Sequence, residues 1–173
     1  MIANTRGPEA FSNLAAEVSP TVEATTLVEA KKAEVLFLAI PFLAVGTFGA
    51  SLSDWKNKVI VDATNSFTLP NEAEVLAGRL STEVVMDAFP GAHVVKGFNQ
   101  LPANVHSCQL PADEGKIVVH LASNSPDASK LVAELAESLG YAAVELGRIN
   151  EGGRLIQARN VLVLRLFVER PMF

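Results

Sequence analysis

Residue types that suit ligand binding follow three apolar runs of this chain. Pro41 follows the run that ends at Ile40, and the segments 62–67 (Asp-Ala-Thr-Asn-Ser-Phe) and 96–100 (Lys-Gly-Phe-Asn-Gln) follow two others. Together these ends supply backbone hydrogen-bonding groups, small polar side chains and aromatic rings, which suit a flat, partly polar ring such as a nicotinamide or a flavin. Asp, Asn, Pro and Gly also end strands in general, so plain turns remain an alternative.

The first residues add a candidate phosphate contact. Met1-Ile2-Ala3 is typical of a strand end, and residues 4–9 (Asn-Thr-Arg-Gly-Pro-Glu) enter a predicted helix. In dinucleotide-binding folds the second strand ends at the adenosine ribose, where an acid selects NAD and an Arg accommodates the 2′-phosphate of NADP. Here Thr5 offers a hydroxyl, Arg6 offers a guanidinium, and a helix from Pro8 would add its positive end. A solvated surface arginine is the alternative.

Other reactive side chains favour structural roles. His93, His106 and His120 lack metal-ligand spacing with Cys108 or with paired carboxylates, so no metal site is predicted. His93 and His120 fall on strand runs, whereas His106 lies in a loop that faces either substrate or solvent. Cys108 has no basic neighbours that would activate it as a nucleophile. Asp62 fits a proton relay or, more commonly, a turn-capping carboxylate.

Composition excludes several classes of protein. A chain of 173 residues predicts one domain, 1–173, and its 49% hydrophobic and 19% charged residues predict a packed fold. The net charge of -5 argues against nucleic-acid partners. The apolar stretch 35–50 is broken by Pro and Gly and is shorter than the roughly 20 residues of a membrane span. A single cysteine and no charged-then-apolar leader at the start favour a cytoplasmic protein.

Apolar runs alternate with helical stretches along the chain. Strands are predicted at the following residues: 35–40, 59–63, 93–98, 117–121 and 142–146. Ser125 as N-cap and Pro126 begin the clearest helix, in which Leu131, Leu135 and Leu139 predict an apolar stripe before Gly140. Shorter helices are predicted from Pro8 to about residue 17 and at 25–32, and residues 161–168 are predicted to be extended. This order predicts an α/β fold with a mainly parallel, doubly wound sheet.

Five blocks in order carry a resemblance to a known family. They are residues 1–9, the Ala-Ile-Pro-Phe turn at 39–42, Val-Asp-Ala-Thr-Asn at 61–65, Val-Val-Lys-Gly-Phe-Asn at 94–99 and Glu-Gly-Gly-Arg-Leu at 151–155. The chain resembles the NADP oxidoreductases similar to the coenzyme F420-dependent enzyme.

The resemblance implies a Rossmann-type domain that binds NADP(H) and passes hydride to a small-molecule redox substrate. The acceptor would be coenzyme F420, a flavin or another molecule, and family habit together with the apolar C-terminal stretch makes a homodimer an expectation. Thr5 and Arg6 would hold the 2′-phosphate, and Ile40 and Pro41 would pass along the nicotinamide half. The residues implied near the reacting rings are Thr64, Asn65, Phe98 and Asn99. The resemblance assigns no catalytic side chain.

One family feature is absent from the sequence. The family begins with a strand and a Gly-x-Gly-x-x-Gly turn, and that motif occurs nowhere in this chain. We therefore expect an N-terminally shortened form that lacks the first βα unit. Because the first strand is central in such a sheet, its loss would leave an open edge on the strand at Val35. The alternative function is a catalytically inactive dinucleotide-binding remnant that acts only as a structural or interaction module.

Overall fold

The computed structural model of the chain describes residues 1–52, 54–67, 69–108, 110–111 and 113–170. These residues form two compact units, Met1–Leu36 and Phe37–Phe173. The expectation of a single domain over residues 1–173 stays a prediction.

The first unit is built on two very short parallel strands. Strand β1 (Ile2–Ala3) pairs with β2 (Ala24–Thr25), and helix α1 (Ser12–Val18) lies between them in sequence. The predicted helix from Pro8 is wrong in its first part, because a 3-10 turn at Pro8–Ala10 ends where Phe11 takes a φ of -148°. The helix predicted at 25–32 is also shorter than expected.

That second helix, α2 (Leu27–Ala30), begins after a side-chain cap. The hydroxyl oxygen of Thr26 accepts a hydrogen bond from the backbone N–H of Glu29 at 3.2 Å. Such a cap satisfies one of the free N–H groups at a helix start.

The second unit contains most of a six-stranded sheet. Its strands are β3 (Val35–Leu38), β4 (Val59–Asp62), β5 (His93–Lys96), β6 (Lys116–Ser123), β7 (Ala142–Glu145) and β8 (Val168–Glu169). The order is β3-β4-β5-β6-β7, and β8 pairs with β6. β4 and β5 are parallel, as are β6 and β7, whereas β5 and β6 are antiparallel. The five predicted strands are confirmed, and so is the α/β class. In the described part of the chain, β3 lies at an edge of the sheet.

Among the described residues, five α-helices belong to the same unit. They are α3 (Val45–Gly49), α4 (Glu72–Leu76), α5 (Ser81–Ala88), α6 (Ala103–His106) and α7 (Pro126–Ser138). α5 packs on β5, and α7 packs on β5, β6 and β7. These strands bury most of their apolar side chains, and in the neighbouring β4 all four residues are buried. No helix among the described residues has the length and apolar character of a bilayer span.

The apolar stripe predicted for α7 is wrong. Leu131 and Leu139 are exposed, and the helix instead turns Ala128, Val132 and Ala136 toward the sheet. Both sets repeat at i, i+4 and i+8, so spacing alone does not choose between them. Small side chains let the helix approach the strands closely, and this favours the alanine face.

The extended strand predicted at 161–168 is also wrong for its first half. Residues 161–164 form turns, and only Val168 and Glu169 pair as a strand. The N–H of Leu164 donates to the carbonyl of Gln100 at 2.6 Å, and Leu164 has a φ of 59°. This bond draws the segment toward the end of β5 rather than along a sheet edge.

Candidate functional site

The carboxyl ends of β4 and β5 form the centre of the candidate site. The two strands are parallel, and their register places Asp62 beside Lys96. The chain segments that leave these strands therefore meet at one edge of the sheet. There the side chain of Asn65 donates to the carbonyl of Asn99 at 2.9 Å, and the side chain of Asn99 donates to Oδ1 of Asn65 at 3.0 Å. The reciprocal amide pair fixes the two segments to each other.

A fully buried ion pair lies directly beneath this amide pair. Lys96 Nζ is 3.2 Å from Asp62 Oδ2, and neither side chain has any exposed surface. Lys96 also donates to the carbonyl of Thr64 at 2.5 Å. The lysine thus holds both a carboxylate at the end of β4 and the backbone two residues further along.

The carboxylate of Asp62 accepts hydrogen bonds from three further donors. Its Oδ1 atom receives the backbone N–H of Thr64 at 3.0 Å and the hydroxyl of the same residue at 2.6 Å, and its Oδ2 atom receives the hydroxyl of Thr82 at 3.0 Å. Burial lowers the pKa of Lys96 from its ordinary value, and the neighbouring Asp62 opposes that change. With its oxygens occupied in this way, Asp62 has the structural, turn-capping role rather than that of a relay open to substrate.

Sequence reasoning missed the role of Lys96. The signal was present, since a lysine follows two valines in a strand whose faces are both covered, and an aspartate occupies the corresponding end of the neighbouring strand. Charged residues are almost never fully buried unless they are paired. A charged residue at the end of each of two buried strands therefore indicates a buried pair.

The expected ring-contacting residues differ in exposure. Thr64 and Asn99 are buried, at 2% and 3% exposure, and their side chains are engaged inside the protein. Asn65, Phe98 and Ile40 are half-buried and Pro41 is exposed, so these four are accessible to a ligand. Their assignment to a cofactor stays a prediction.

Two buried acceptors at the end of β5 have no hydrogen-bond donor among the described residues. They are Oδ1 of Asn99 and Oε1 of Gln100. A buried acceptor without a donor costs about 1–3 kcal/mol, which a donor from a ligand or a water molecule recovers.

Phe98 has an unusual backbone conformation for an aromatic residue. Its φ is 60°, in the left-handed region that bulky residues seldom occupy. Its ring packs edge-on against Phe37 of β3, with centroids 5.2 Å apart, and against Tyr141, with centroids 5.7 Å apart. A Cβ on the preceding Gly97 would lie 2.5 Å from Cδ2 of Leu121 on β6, so a side chain there would require the buried Leu121 to shift. Close packing of β5 on β6 and these ring contacts together hold Phe98 in place.

The histidines and the cysteine lie outside the amide pair. The ring of His106 contacts those of Phe98 and Tyr141, with centroids 5.8 Å apart in each case, and burial lowers the pKa of His106. His120 is buried on β6, and burial lowers its pKa as well. Cys108 is exposed. Within the described ranges no group of His, Cys, Asp and Glu suits a metal ion.

The expected phosphate contacts lie in the first unit. Thr5 and Arg6 are exposed in the turn that follows β1, where Oδ1 of Asn4 accepts the backbone N–H of Arg6 at 2.9 Å. Gly7 has a φ of 84°, which a residue with a side chain would adopt only with strain. The turn leaves the guanidinium of Arg6 free of any ion pair with a described residue.

Known proteins share parts of this sequence and fold. The model of the family described as NADP oxidoreductase coenzyme F420-dependent matches residues 1–66. The crystal structure of a hypothetical protein from Sinorhizobium meliloti has a TM-score of 0.90 and 38% identity, covering 97% of this chain and 82% of that one. A proposed F420-dependent NADP reductase from Arthrobacter sp. FB24 has a TM-score of 0.66 at 24% identity, covering 85% of this chain and 73% of the other; at that identity it supports the Rossmann-like fold alone.

A curated relative matches a shorter stretch. Mouse Metalloreductase STEAP2 (Mus musculus) is 30% identical over 110 residues, which is 64% of this chain and 20% of the mouse protein. The chain thus spans about a fifth of the length of the curated relatives it matches. The family match covers the first three of the five sequence blocks, at residues 1–9, 39–42 and 61–65. The similarity to the Sinorhizobium protein extends over nearly the whole chain. The chain therefore belongs to the family of coenzyme F420-dependent NADP oxidoreductases.

Proposed function

We propose that this chain binds NADP(H) and serves hydride transfer between the nicotinamide and a flat redox acceptor such as coenzyme F420 or a flavin. The observation that carries the proposal is the family match over residues 1–66, which includes both the β1 turn with Arg6 and the end of β4. When bound, NADPH supplies a hydride, that is two electrons and one proton, and the acceptor takes a second proton from water. The chain's own contribution is to bind and orient the two partners.

Thr5 and Arg6 are proposed to select the phosphorylated form of the dinucleotide. Both are exposed in one turn, and no carboxylate stands among residues 4–7, where NAD-specific folds carry an acid. A guanidinium can donate two parallel hydrogen bonds to a phosphate, and these charge-assisted bonds are stronger than neutral ones. The expected preference is for NADPH over NADH.

The nicotinamide half is proposed to lie at the ends of β3, β4 and β5. Ile40, Pro41 and Phe98 supply an apolar or aromatic surface, and Asn65 supplies a polar edge. Thr64 supports this surface from beneath through its bonds to Asp62. Hydride transfer depends on proximity and orientation, which such a rigid surface provides.

The binding preference tests the proposal directly. NADPH and NADH are titrated against the 173-residue chain by calorimetry, and Arg6→Ala is expected to weaken NADPH binding roughly tenfold or more, with little effect on NADH. Lys32→Ala is a matched control, since Lys32 is also an exposed cation of the first unit and is paired with Glu29. The absence of binding of either dinucleotide at about millimolar concentration would contradict the proposal and favour the inactive-module alternative.

A further inference from the structure

An open cavity lies in the second unit where β6 and β7 end and α7 begins. Because β6 is antiparallel to β5, with Ser123 beside Val95, these ends lie at the edge of the sheet opposite the ends of β4 and β5. The cavity volume is about 400 Å³, within the range of small-molecule sites. The cavity is therefore separate from the surface proposed for the nicotinamide. It is lined by Ser123, Asn124, Pro126, Ser129, Glu145, Gly147 and Arg148.

Hydrogen bonds fix the loop that joins β6 to α7. Oγ of Ser123 donates to a backbone carbonyl of β5 at 2.7 Å and accepts the backbone N–H of Ser125 at 3.1 Å. Oγ of Ser125 in turn caps α7 by accepting the N–H of Ala128 at 3.4 Å. Oδ1 of Asn124 accepts the backbone N–H of Ile149 at 3.1 Å, which ties the loop to the segment after β7. The walls of the cavity are thus built from the chain's own bonds.

One buried hydroxyl at this cavity lacks a partner. Ser129 of α7 is 5% exposed, and its hydroxyl makes no hydrogen bond with a described residue. Because helical side chains tilt toward the N-terminus, this hydroxyl points toward the start of α7. The backbone N–H of Asp127, in the first turn of the helix, also has no acceptor in the described part of the chain. Unpaired buried polar groups are unfavourable, and a ligand that bonds to them removes that cost.

Charged groups of both signs line the cavity. Arg148 follows the turn at Gly147, which has a φ of 82°, and its exposed guanidinium makes no ion pair with a described residue. The start of α7 adds the positive end of a helix dipole, which favours anions. Glu145, the last residue of β7, is the single carboxylate among the described lining residues. An arginine and a helix start suit a phosphate, whereas a carboxylate suits a ligand's hydroxyl groups.

The order β6-α7-β7 is that of a nucleotide-binding βαβ unit. In such units a phosphate lies at the helix start, and an acid about 20 residues further on accepts the sugar hydroxyls. Glu145 stands about 20 residues after the N-cap Ser125, at the end of a strand parallel to β6. The glycines that let a backbone approach a pyrophosphate are absent, and residues 123–126 are Ser-Asn-Ser-Pro. This loop offers side-chain donors instead, which suit a single phosphate group.

We propose that this cavity binds a sugar monophosphate, with the phosphate at the start of α7 and the sugar hydroxyls at Glu145. The guanidinium of Arg148, the hydroxyl of Ser129 and the N–H of Asp127 donate to the phosphate oxygens. The carboxylate of Glu145 accepts from the sugar and repels a phosphate placed at that end, so it fixes the direction in which the ligand lies. This site is independent of NADP(H), because it occupies the opposite edge of the sheet.

Ribose 5-phosphate, ribose and 2-deoxyribose 5-phosphate are matched probes, because the last two each lack one recognised group. Binding to the full chain is followed by ¹H–¹⁵N NMR, and the largest shifts are expected at the N–H groups of Asp127 and Ser129. Ribose 5-phosphate should bind at least about tenfold more tightly than ribose, and about threefold more tightly than 2-deoxyribose 5-phosphate.

Three variants test the individual contacts. Arg148→Gln should weaken ribose 5-phosphate binding about tenfold, and Ser129→Ala about threefold or more. The midpoint of thermal unfolding of Ser129→Ala should equal or exceed that of the parent chain, because the hydroxyl has no partner to lose; a structural hydroxyl would lower it. Glu145→Gln should reduce the preference for ribose 5-phosphate over 2-deoxyribose 5-phosphate and should strengthen binding of inorganic phosphate.

Controls decide between this site and the turn after β1. Arg165→Gln makes the same charge change at an exposed arginine outside the cavity and should leave binding unchanged. The proposal is overturned by an absence of binding at about millimolar concentration, or by equal binding to the parent chain and Arg148→Gln. NMR shifts confined to residues 4–7 that disappear in Arg6→Ala would also overturn it. Binding that depends on Arg148 in a chain that binds no NADPH supports this site and contradicts only the oxidoreductase proposal.

Discussion

Two regions of the second unit use positive charge in opposite ways. Beneath the strand ends, Lys96 is fully buried and its ammonium is shared between the carboxylate of Asp62 and the carbonyl of Thr64. At the cavity beside the start of α7, Arg148 is exposed and has no ion-pair partner among the described residues. A buried charge left unpaired is costly, so Lys96 fixes the position of its neighbours. An exposed charge costs the fold little and is available to a ligand.

Replacement of Lys96 is expected to cause the largest change in the free energy of unfolding. It tests whether the buried ion pair with Asp62 stabilises the strand ends. Lys96→Met leaves the carboxylate of Asp62 buried without its cation, and we expect the free energy of unfolding to fall by about 3–5 kcal/mol. Urea unfolding followed by circular dichroism measures the change. The double variant Asp62→Asn, Lys96→Met removes the unpaired charge and should recover part of the loss. A single variant as stable as the parent chain would show that the pair does not hold the strand ends.

The pH dependence of the free energy of unfolding reports on two histidines, His106 and His120, whose pKa values are lowered by burial. Burial lowers the pKa of His106 in the folded protein below its ordinary value of 6.5, so the unfolded chain binds the proton more tightly. The free energy of unfolding therefore falls as the pH drops from about 6.5 toward the lower folded pKa, and at higher pH this contribution is constant.

Replacement of the ring isolates that contribution. His106→Gln should flatten the slope below pH 6.5, as measured by thermal unfolding at a series of pH values. His120 has a pKa lowered by burial as well, so His120→Gln should reduce the same slope independently. A slope unchanged in both variants would contradict the assignment.

Arg148→Gln is expected to have the smallest effect on the fold. Substitutions at exposed positions without structural contacts usually change stability by less than about 0.5 kcal/mol. The same urea experiment should therefore not distinguish Arg148→Gln from the parent chain. A loss comparable to that of Lys96→Met would mean that Arg148 supports the fold and would remove the contrast between the two regions.

Local pattern predicted the strands of the sheet better than their directions. The β-branched runs identified β4, β5 and β6, because their faces are covered and demand apolar side chains. The antiparallel pairing of β5 with β6 was not predicted, since the runs carry no information on direction. The burial of Asn99 and Thr64 also depends on long-range partners, such as the carbonyl of Ile156, that lie far away in sequence.

The segment at residues 159–165 was the least predictable part of the second unit. It is rich in Val and Leu, and such a run favours a strand when it is considered alone. The left-handed conformations of Arg159 and Leu164, with φ of 63° and 59°, turn the chain instead. The bond from Leu164 to Gln100 supports that turn, and no local pattern reveals a partner so distant in sequence.

Gly97 and Phe98 together constrain what protein engineering can do at the end of β5. A Cβ at position 97 would lie 2.5 Å from Cδ2 of the buried Leu121, whereas position 98 has an aromatic ring on a backbone that glycine would adopt with less strain. Any side chain at position 97 therefore requires Leu121 to shift within the packed core. A combinatorial library randomised at both positions should favour glycine at 97 and return a wider range of residues at 98.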